Sequence, residues 1–338
     1  MAEHATPGPF RTRITELFGI RLPILAAGLQ WISDASYVSA AVRAGTMGFI
    51  TARSFASPDA VRDEIRRCRD LCGSDRFGVN LSMLPVPQPH ERMEELVEVI
   101  ATERVPFVET AGRNPQQHLP LLRQAGVKHM HKVPTLRHAL SAQKLGVDAV
   151  CLVGAEAGGH PAADLVGTLV QATLLARAIT IPTVIGGGIG TGEQIVAALA
   201  LGVDGVAMGT RFLVAEEAWA HRAYKERLVA ADETATALVM QSLNNTSRAL
   251  ANETTRTVAQ MEREGAGLAE LMPHITGKLG RAAYASGDAT HGLISLGQAV
   301  TFADRIEPFA AITARLEEEI ATALARLDAQ RCDAASLA

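Results

Sequence analysis

Leu145-Gly146-Val147-Asp148-Ala149-Val150-Cys151-Leu152-Val153-Gly154-Ala155-Glu156-Ala157-Gly158-Gly159-His160 carries one whole structural unit. A glycine closing a helix-forming segment is the usual left-handed C-cap. The apolar run Val147–Val153 that follows reads as a buried strand. It ends in a glycine turn that exposes one histidine beside one carboxylate. Glycines let backbone amides approach a ligand closely, and an imidazole moves protons near neutral pH. An ordinary strand-to-helix turn would read the same way, so the rest of the chain decides.

The unit recurs. Ala44-Gly45-Thr46-Met47-Gly48-Phe49, Ala125-Gly126-Val127-Lys128-His129-Met130 and Leu201-Gly202-Val203-Asp204-Gly205-Val206 each end a helix on a glycine and enter a strand. Strands are predicted near Leu22–Ala26, Met47–Ile50, Arg76–Val79, Phe107–Glu109, Val127–His131, Asp148–Val153, Thr183–Ile185 and Gly205–Met208. Helical patterns lie between them at Pro58–Leu71, His90–Ile100, Pro115–Ala125, Leu136–Leu145, Gly167–Ala178 and Gly192–Leu201. Such alternation requires a parallel sheet with crossover helices, and eight strands is the count of a closed α/β (β/α)8 TIM barrel. The competing doubly wound sheet needs its glycine signature after the first strand. There this chain has Ala26-Ala27-Gly28-Leu29-Gln30.

Beyond Arg211 the alternation stops. Residues 224–298 read as mainly helical, with glycine breaks, and form an extension over the barrel mouth. A long helix, Ala299–Ala325, then closes the outer ring. The expected domains are a barrel from 1–222 plus 298–338 and a helical extension from 223–297.

Composition narrows the function. The 338 residues are 48 % hydrophobic but only 4 % aromatic, so Val, Ile, Leu and Ala must build the core. A net charge of −4 with no Lys/Arg run excludes nucleic acid as the expected partner. No apolar run is long enough to span a bilayer, and Met1–Phe10 lacks the apolar core of a signal peptide. No membrane partner and a cytoplasmic location are therefore expected. Cys68 and Cys72 have no second ligand pair, so no metal site is expected, and Cys151 reads as a packing residue.

The C-terminal ends of barrel strands form the working face. Collected there are Gly28, Gln30, Thr51, Asn80, Glu109, Thr110, Lys132, Glu156, His160, Gly187, Gly188, Gly209 and Thr210. Gly186-Gly187-Gly188, with Thr191-Gly192-Glu193 opening a helix, suits a phosphate held by backbone amides and a helix N-terminus. Gly209-Thr210-Arg211 adds an amide, a hydroxyl and a guanidinium. Two tight turns with no ligand are the alternative. Lys132 reads as a ligand contact, a structural lysine or a Schiff-base lysine. Asn80 offers both donor and acceptor to a ring with mixed edges. Pro85-Val86-Pro87-Gln88-Pro89 reads as a lid or a stiff connector, and His129 and His131 as structural, sharing one face.

The chain resembles the 2-nitropropane dioxygenase-like flavoproteins. These include nitronate monooxygenases, bacterial NADH:quinone reductases and flavin-dependent enoyl reductases. The resemblance rests on Ala157-Gly158-Gly159-His160, Gly186-Gly187-Gly188 and Met208-Gly209-Thr210-Arg211-Phe212, and it covers nearly the whole chain. It implies FMN in the barrel mouth. Gly187, Gly188, Gly209 and Thr210 would hold its phosphate, Gly28 and Leu29 would border its ring, and Asn80 and Lys132 would contact the polar edge. Gly158 and Gly159 would also bind the cofactor, and His160 would be the catalytic residue. Glu156 would orient that turn. Ala162, Ala26-Ala27 and Leu29 depart from residues more usual in the family and leave the substrate open.

Two reactions follow from the resemblance, and sequence-wide similarity leans toward the first. In one, NAD(P)H is co-substrate and a quinone takes the electrons. In the other, an alkyl nitronate is oxidised with O2 to a carbonyl compound and nitrite. An enoyl reductase is a third, less similar reading. A homodimer is expected. A flavin-free Schiff-base lyase and a non-catalytic phosphometabolite-binding barrel are the alternatives from other classes.

Overall fold

A computed structural model describes residues 8–84 and 87–331. Helix α1 (Arg13–Phe18) precedes the barrel; Thr12 accepts the amide of Thr15 at its start, and Gly19 ends it in the left-handed region at φ +64°. The strands are β1 (Ile24–Ala26), β2 (Met47–Thr51), β3 (Gly78–Met83), β4 (Phe107–Gly112), β5 (Lys128–Val133), β6 (Ala149–Val153), β7 (Thr183–Gly186) and β8 (Gly205–Met208). All pair in parallel with their neighbours in sequence, and Ile24 opposite Val206 joins β1 to β8 and closes the barrel. The outer helices are α2 (Ala35–Arg43), α3 (Pro58–Cys72), α4 (Met93–Thr102), α5 (Leu119–Gln124), α6 (Leu136–Leu145), α7 (Thr168–Ala178) and α8 (Gly192–Ala200). The (β/α)8 expectation is met.

Side chains alternate across each strand, so the barrel has two cores. Leu25, Met47, Phe49, Phe107, Met130, Ala149, Cys151, Val184 and Ala207 fill the interior, together with Ile14 and Phe18 of α1. Helix α1 is thus a plug. Phe18 meets Phe107 and Phe49 edge to face, with centroids 5.0 and 6.1 Å apart. Arg13 fixes the plug through a double hydrogen bond to Asp204, both at 2.7 Å. The second, larger core lies between strands and outer helices.

The segment after β8 is the expected helical extension, with one hairpin added to it. Helix α9 (Arg222–Val229) is followed by an antiparallel hairpin, β9 (Thr236–Val239) with β10 (Ser247–Leu250). Then come α10 (Glu253–Arg263), α11 (Leu268–Ile275) and α12 (Gly277–Ser286). The final helix α13 runs over Phe309–Gln330, not from 299; a short 3-10 turn occupies Gln298–Phe302. Pro308 explains the late start, since its fixed φ suits the position before the first helical turn. Helix α13 packs on α8 and α2, filling the last place in the outer ring. Among the described residues no helix is long and apolar enough to cross a membrane.

Candidate active site

A cavity of about 780 Å³ opens where the strands end. Gly28, Leu29, Lys132, Gly158, Gly159, His160, Gly187, Gly188, Gly209 and Thr210 all line it, so ten of the eleven residues expected from sequence converge. Gly277, Gly280, Tyr284 and Ser295 of the extension roof it.

Asn80 does not reach the cavity. Strand β3 runs on to Met83 rather than stopping at Val79, so Asn80 lies one layer down and is fully buried. It sits beneath Gly28, where an added Cβ would come within 2.8 Å of the Asn80 Cβ. Its amide donates to Glu109 at 2.5 Å and accepts from Ser82 at 2.9 Å. Glu109 in turn receives Nζ of Lys132 at 3.0 Å. Burial works against the charge on Lys132, but the Glu109 carboxylate outweighs it and raises the lysine pKa. Cys151 stands behind the pair, its thiol pushed up to about 12 by burial. Glu109 belongs to the strand-end set in sequence, but only the register of β3, β4 and β5 reveals its pairing with Lys132.

The seventh turn is shaped for close approach. Gly187 has φ +109°, and an added Cβ would lie 2.8 Å from Oγ1 of Thr168 and 3.2 Å from the Ala157 nitrogen. Gly188, at φ +69°, would meet the Glu156 side chain at 3.0 Å. The amides of Gly187 and Gly188 find no backbone acceptor outside the regular elements among the described residues. Adjacent amides left open on a cavity wall form an anion nest. The expected helix N-terminus is not part of it. Gln194 accepts the Gly190 amide at 2.7 Å, Thr191 caps Gln194, and Glu319 accepts the Gly192 amide at 2.7 Å, so the start of α8 is already satisfied. Arg211 is also turned away. Its guanidinium is buried behind the wall, 3.8 Å from Asp304 and 3.7 Å from Glu307. Thr210 stays on the wall and accepts the Gly297 amide at 2.9 Å.

Glu156 ties its turn to the start of α7. Its carboxylate accepts the Thr168 amide at 3.0 Å and the Thr168 hydroxyl at 2.6 Å, countering the positive start of α7. Gly158 and Gly159 serve the roof. A Cβ on Gly158 would lie 2.7 Å from the Gly297 nitrogen. Gly159, at φ +82°, exchanges backbone hydrogen bonds with Arg248 of β10 at 3.0 and 2.7 Å.

His160 follows this clamp. Its ring is exposed on the cavity side, and desolvation by the protein around it lowers its pKa. No hydrogen-bond partner holds it among the described residues, so a neutral imidazole with a free lone pair faces the cavity. Among the described residues no cluster of three metal-ligating side chains occurs. Pro85 and Val86, the start of the proline-rich loop, lie outside the described residues.

Barrel and site together define a (β/α)8 protein with its cavity at the strand C-terminal ends. The model of the nitronate monooxygenase family matches residues 11–319, and the chain belongs to that family. It is 31 % identical over 207 residues to a (3aS,4S,5R,7aS)-5-hydroxy-7a-methyl-1-oxo-octahydro-1H-indene-4-carboxyl-CoA dehydrogenase of Rhodococcus jostii (strain RHA1). That match covers 61 % of this chain and 56 % of the relative, a little over half its length. Among solved structures, FabK from Thermotoga maritima superposes with a TM-score of 0.86 at 31 % identity, over 95 % of this chain and all of that one. A nitroalkane oxidase from Streptomyces ansochromogenes gives 0.79 at 26 % identity, over 94 % and 100 %. The dehydrogenase and the oxidase of these names are oxidoreductases.

Proposed function

We propose that the protein is an FMN-dependent oxidoreductase that oxidises small nitroalkanes and their nitronates. The observation that carries the reading is the free, neutral imidazole of His160 facing a cavity whose floor holds a buried lysine. The wall suits the cofactor. Open amides at Gly187 and Gly188, with Gly209 beside them, make a cradle for a phosphate that any Cβ at Gly187 would fill. Lys132 presents a fixed cation to the electron-rich edge of a flavin ring. When bound, the flavin supplies the electron-transfer and oxygen chemistry.

The chain's own residues do the rest. His160 takes the proton on the carbon beside the nitro group, for which a neutral base is required. Lys132, held by Glu109, keeps positive charge next to the anion so formed. Leu29, Ile189 and Leu213 on the cavity wall exclude water from it.

A second reading, NAD(P)H-dependent quinone reduction, is supported by the size of the cavity, in the upper part of the range that buries a complete drug-sized ligand. Anaerobic mixing separates the two. The yellow colour of the purified protein should bleach with propyl nitronate and not with NADH. Bleaching by NADH alone eliminates nitronate oxidation, and a colourless protein that refuses FMN eliminates both.

A further inference from the structure

The outer face of β5 carries two histidines that the cavity floor does not use. His129 and His131 alternate with Met130 and Lys132, so both point away from the barrel axis. Thr110 of β4 stands between them. Its Oγ1 lies 2.6 Å from Nε2 of His129 and 2.7 Å from Nδ1 of His131. All three side chains are buried, and His131 is only 5 % exposed. Burial pulls both rings far below the ordinary histidine pKa, to about 3 for His129 and about 4 for His131, so both are neutral at physiological pH.

Two neutral imidazoles can both donate to one hydroxyl, but that strands the Thr110 O–H, which has no other acceptor among the described residues; two arrangements let it donate to a ring. In the first, His131 donates from Nδ1, Thr110 donates to His129, and His129 keeps a buried Nδ1–H. In the second, His129 donates from Nε2, Thr110 donates to Nδ1 of His131, and the proton of His131 sits on Nε2. Nδ1 of His129 is buried with no partner among the described residues. A buried N–H without an acceptor is the rarer and costlier orphan, so the second arrangement is the stable one. It leaves Nε2–H of His131 as a donor with no acceptor among the described residues.

That donor is not sealed in. His131 lines the cavity with Pro115, Val133, Pro134, Ala142 and Leu145, a largely apolar arm between β5 and α6 in which His138 and Ser141 are the polar side chains of α6. We propose that this arm is a ligand subsite for an apolar group bearing a neutral acceptor oxygen, a ketone carbonyl or a nitro group, which His131 grips through its fixed Nε2–H. A carboxylate suits it poorly, because most of the side chains around His131 are apolar and one neutral N–H does not balance a full charge. Occupation of the arm needs no cofactor, so the subsite stands apart from the redox reading.

Acetophenone and α-methylstyrene test it, since they have nearly one shape and differ in C=O against C=CH2. Titration calorimetry on the full-length protein should give about five- to tenfold tighter binding of acetophenone, the size of one neutral hydrogen bond. His131→Phe should erase that preference. Thr110→Val, which frees His131 to change tautomer, should reduce it. Nitrogen-15 NMR should place the His131 proton on Nε2. Equal affinities in the wild type, no binding of either compound, a preference that survives His131→Phe, or a proton on Nδ1 overturns the proposal. If His131→Phe does not fold, Thr110→Val and the NMR tautomer decide it.

Discussion

Lys132 and Glu109 form an ion pair at the cavity floor, 3.0 Å apart, with the carboxylate side chain 2 % and the lysine side chain 19 % exposed. Removing one partner strands the other. Lys132→Met should cost about 3–5 kcal/mol because an uncompensated buried carboxylate remains, held only by Asn80. The Lys132→Met/Glu109→Gln double variant should recover most of that loss. Urea denaturation of the four proteins closes the cycle; additive losses would refute the pairing. Because the folded lysine pKa is raised, the contribution is whole at neutral pH and disappears only as pH climbs through that elevated value.

His160 should set the acid limb of catalysis. Burial lowers its pKa from the ordinary 6.5, so kcat/KM should fall only below that pH. His160→Ala should slow a neutral nitroalkane about 10²–10⁴-fold, the usual contribution of a general base. A preformed nitronate has already lost that proton and should lose far less. Equal losses on both substrates would remove the base role.

Gly187→Ala separates cradle from strain. Both Gly187 and Gly126 have positive φ, +109° and +73°, but a Cβ on Gly126 meets nothing within 4 Å. Each alanine should cost about 1–3 kcal/mol of backbone strain. Only Gly187→Ala should also weaken FMN binding, read by fluorescence quenching on titration. Equal weakening by both variants contradicts the assignment of this turn.

The fold was legible because the unit of C-cap glycine, apolar strand and glycine turn is local chemistry repeated along one chain. What escaped was register. Nothing in Gly78-Val79-Asn80-Leu81 says that pairing continues to Met83, and so Asn80 drops from the mouth into the floor. Arg211 was misread for a similar reason. Its counter-charges, Asp304 and Glu307, lie far along the chain and draw the guanidinium behind the wall. The hairpin was invisible because β9 and β10 are four residues each and carry Ala and Leu, good helix formers. Tertiary pairing with Gly159 and with Ser295 overrides that preference.

Acid should loosen the place where the extension rejoins the barrel. Hydrogen bonds from Arg315 hold the Asp304 pKa down at about 2. Stability from this group is present above the ordinary aspartate value and is lost as pH falls toward 2. The carboxylate is 47 % exposed, so the effect should stay below about 1 kcal/mol. Asp304→Asn should flatten melting temperature against pH between roughly pH 4 and 2. An unchanged profile would mean that Arg315 leans on Glu307 alone.

The backbone leaves the cylinder and comes back to it at a single spot. Ala215 pairs in parallel with Glu307, and the Glu216 amide donates to the Glu307 carbonyl at 3.0 Å. Everything from 217 to 306 is therefore a cassette with adjoining ends, and exchanging it for another leaves the stagger of eight strands undisturbed.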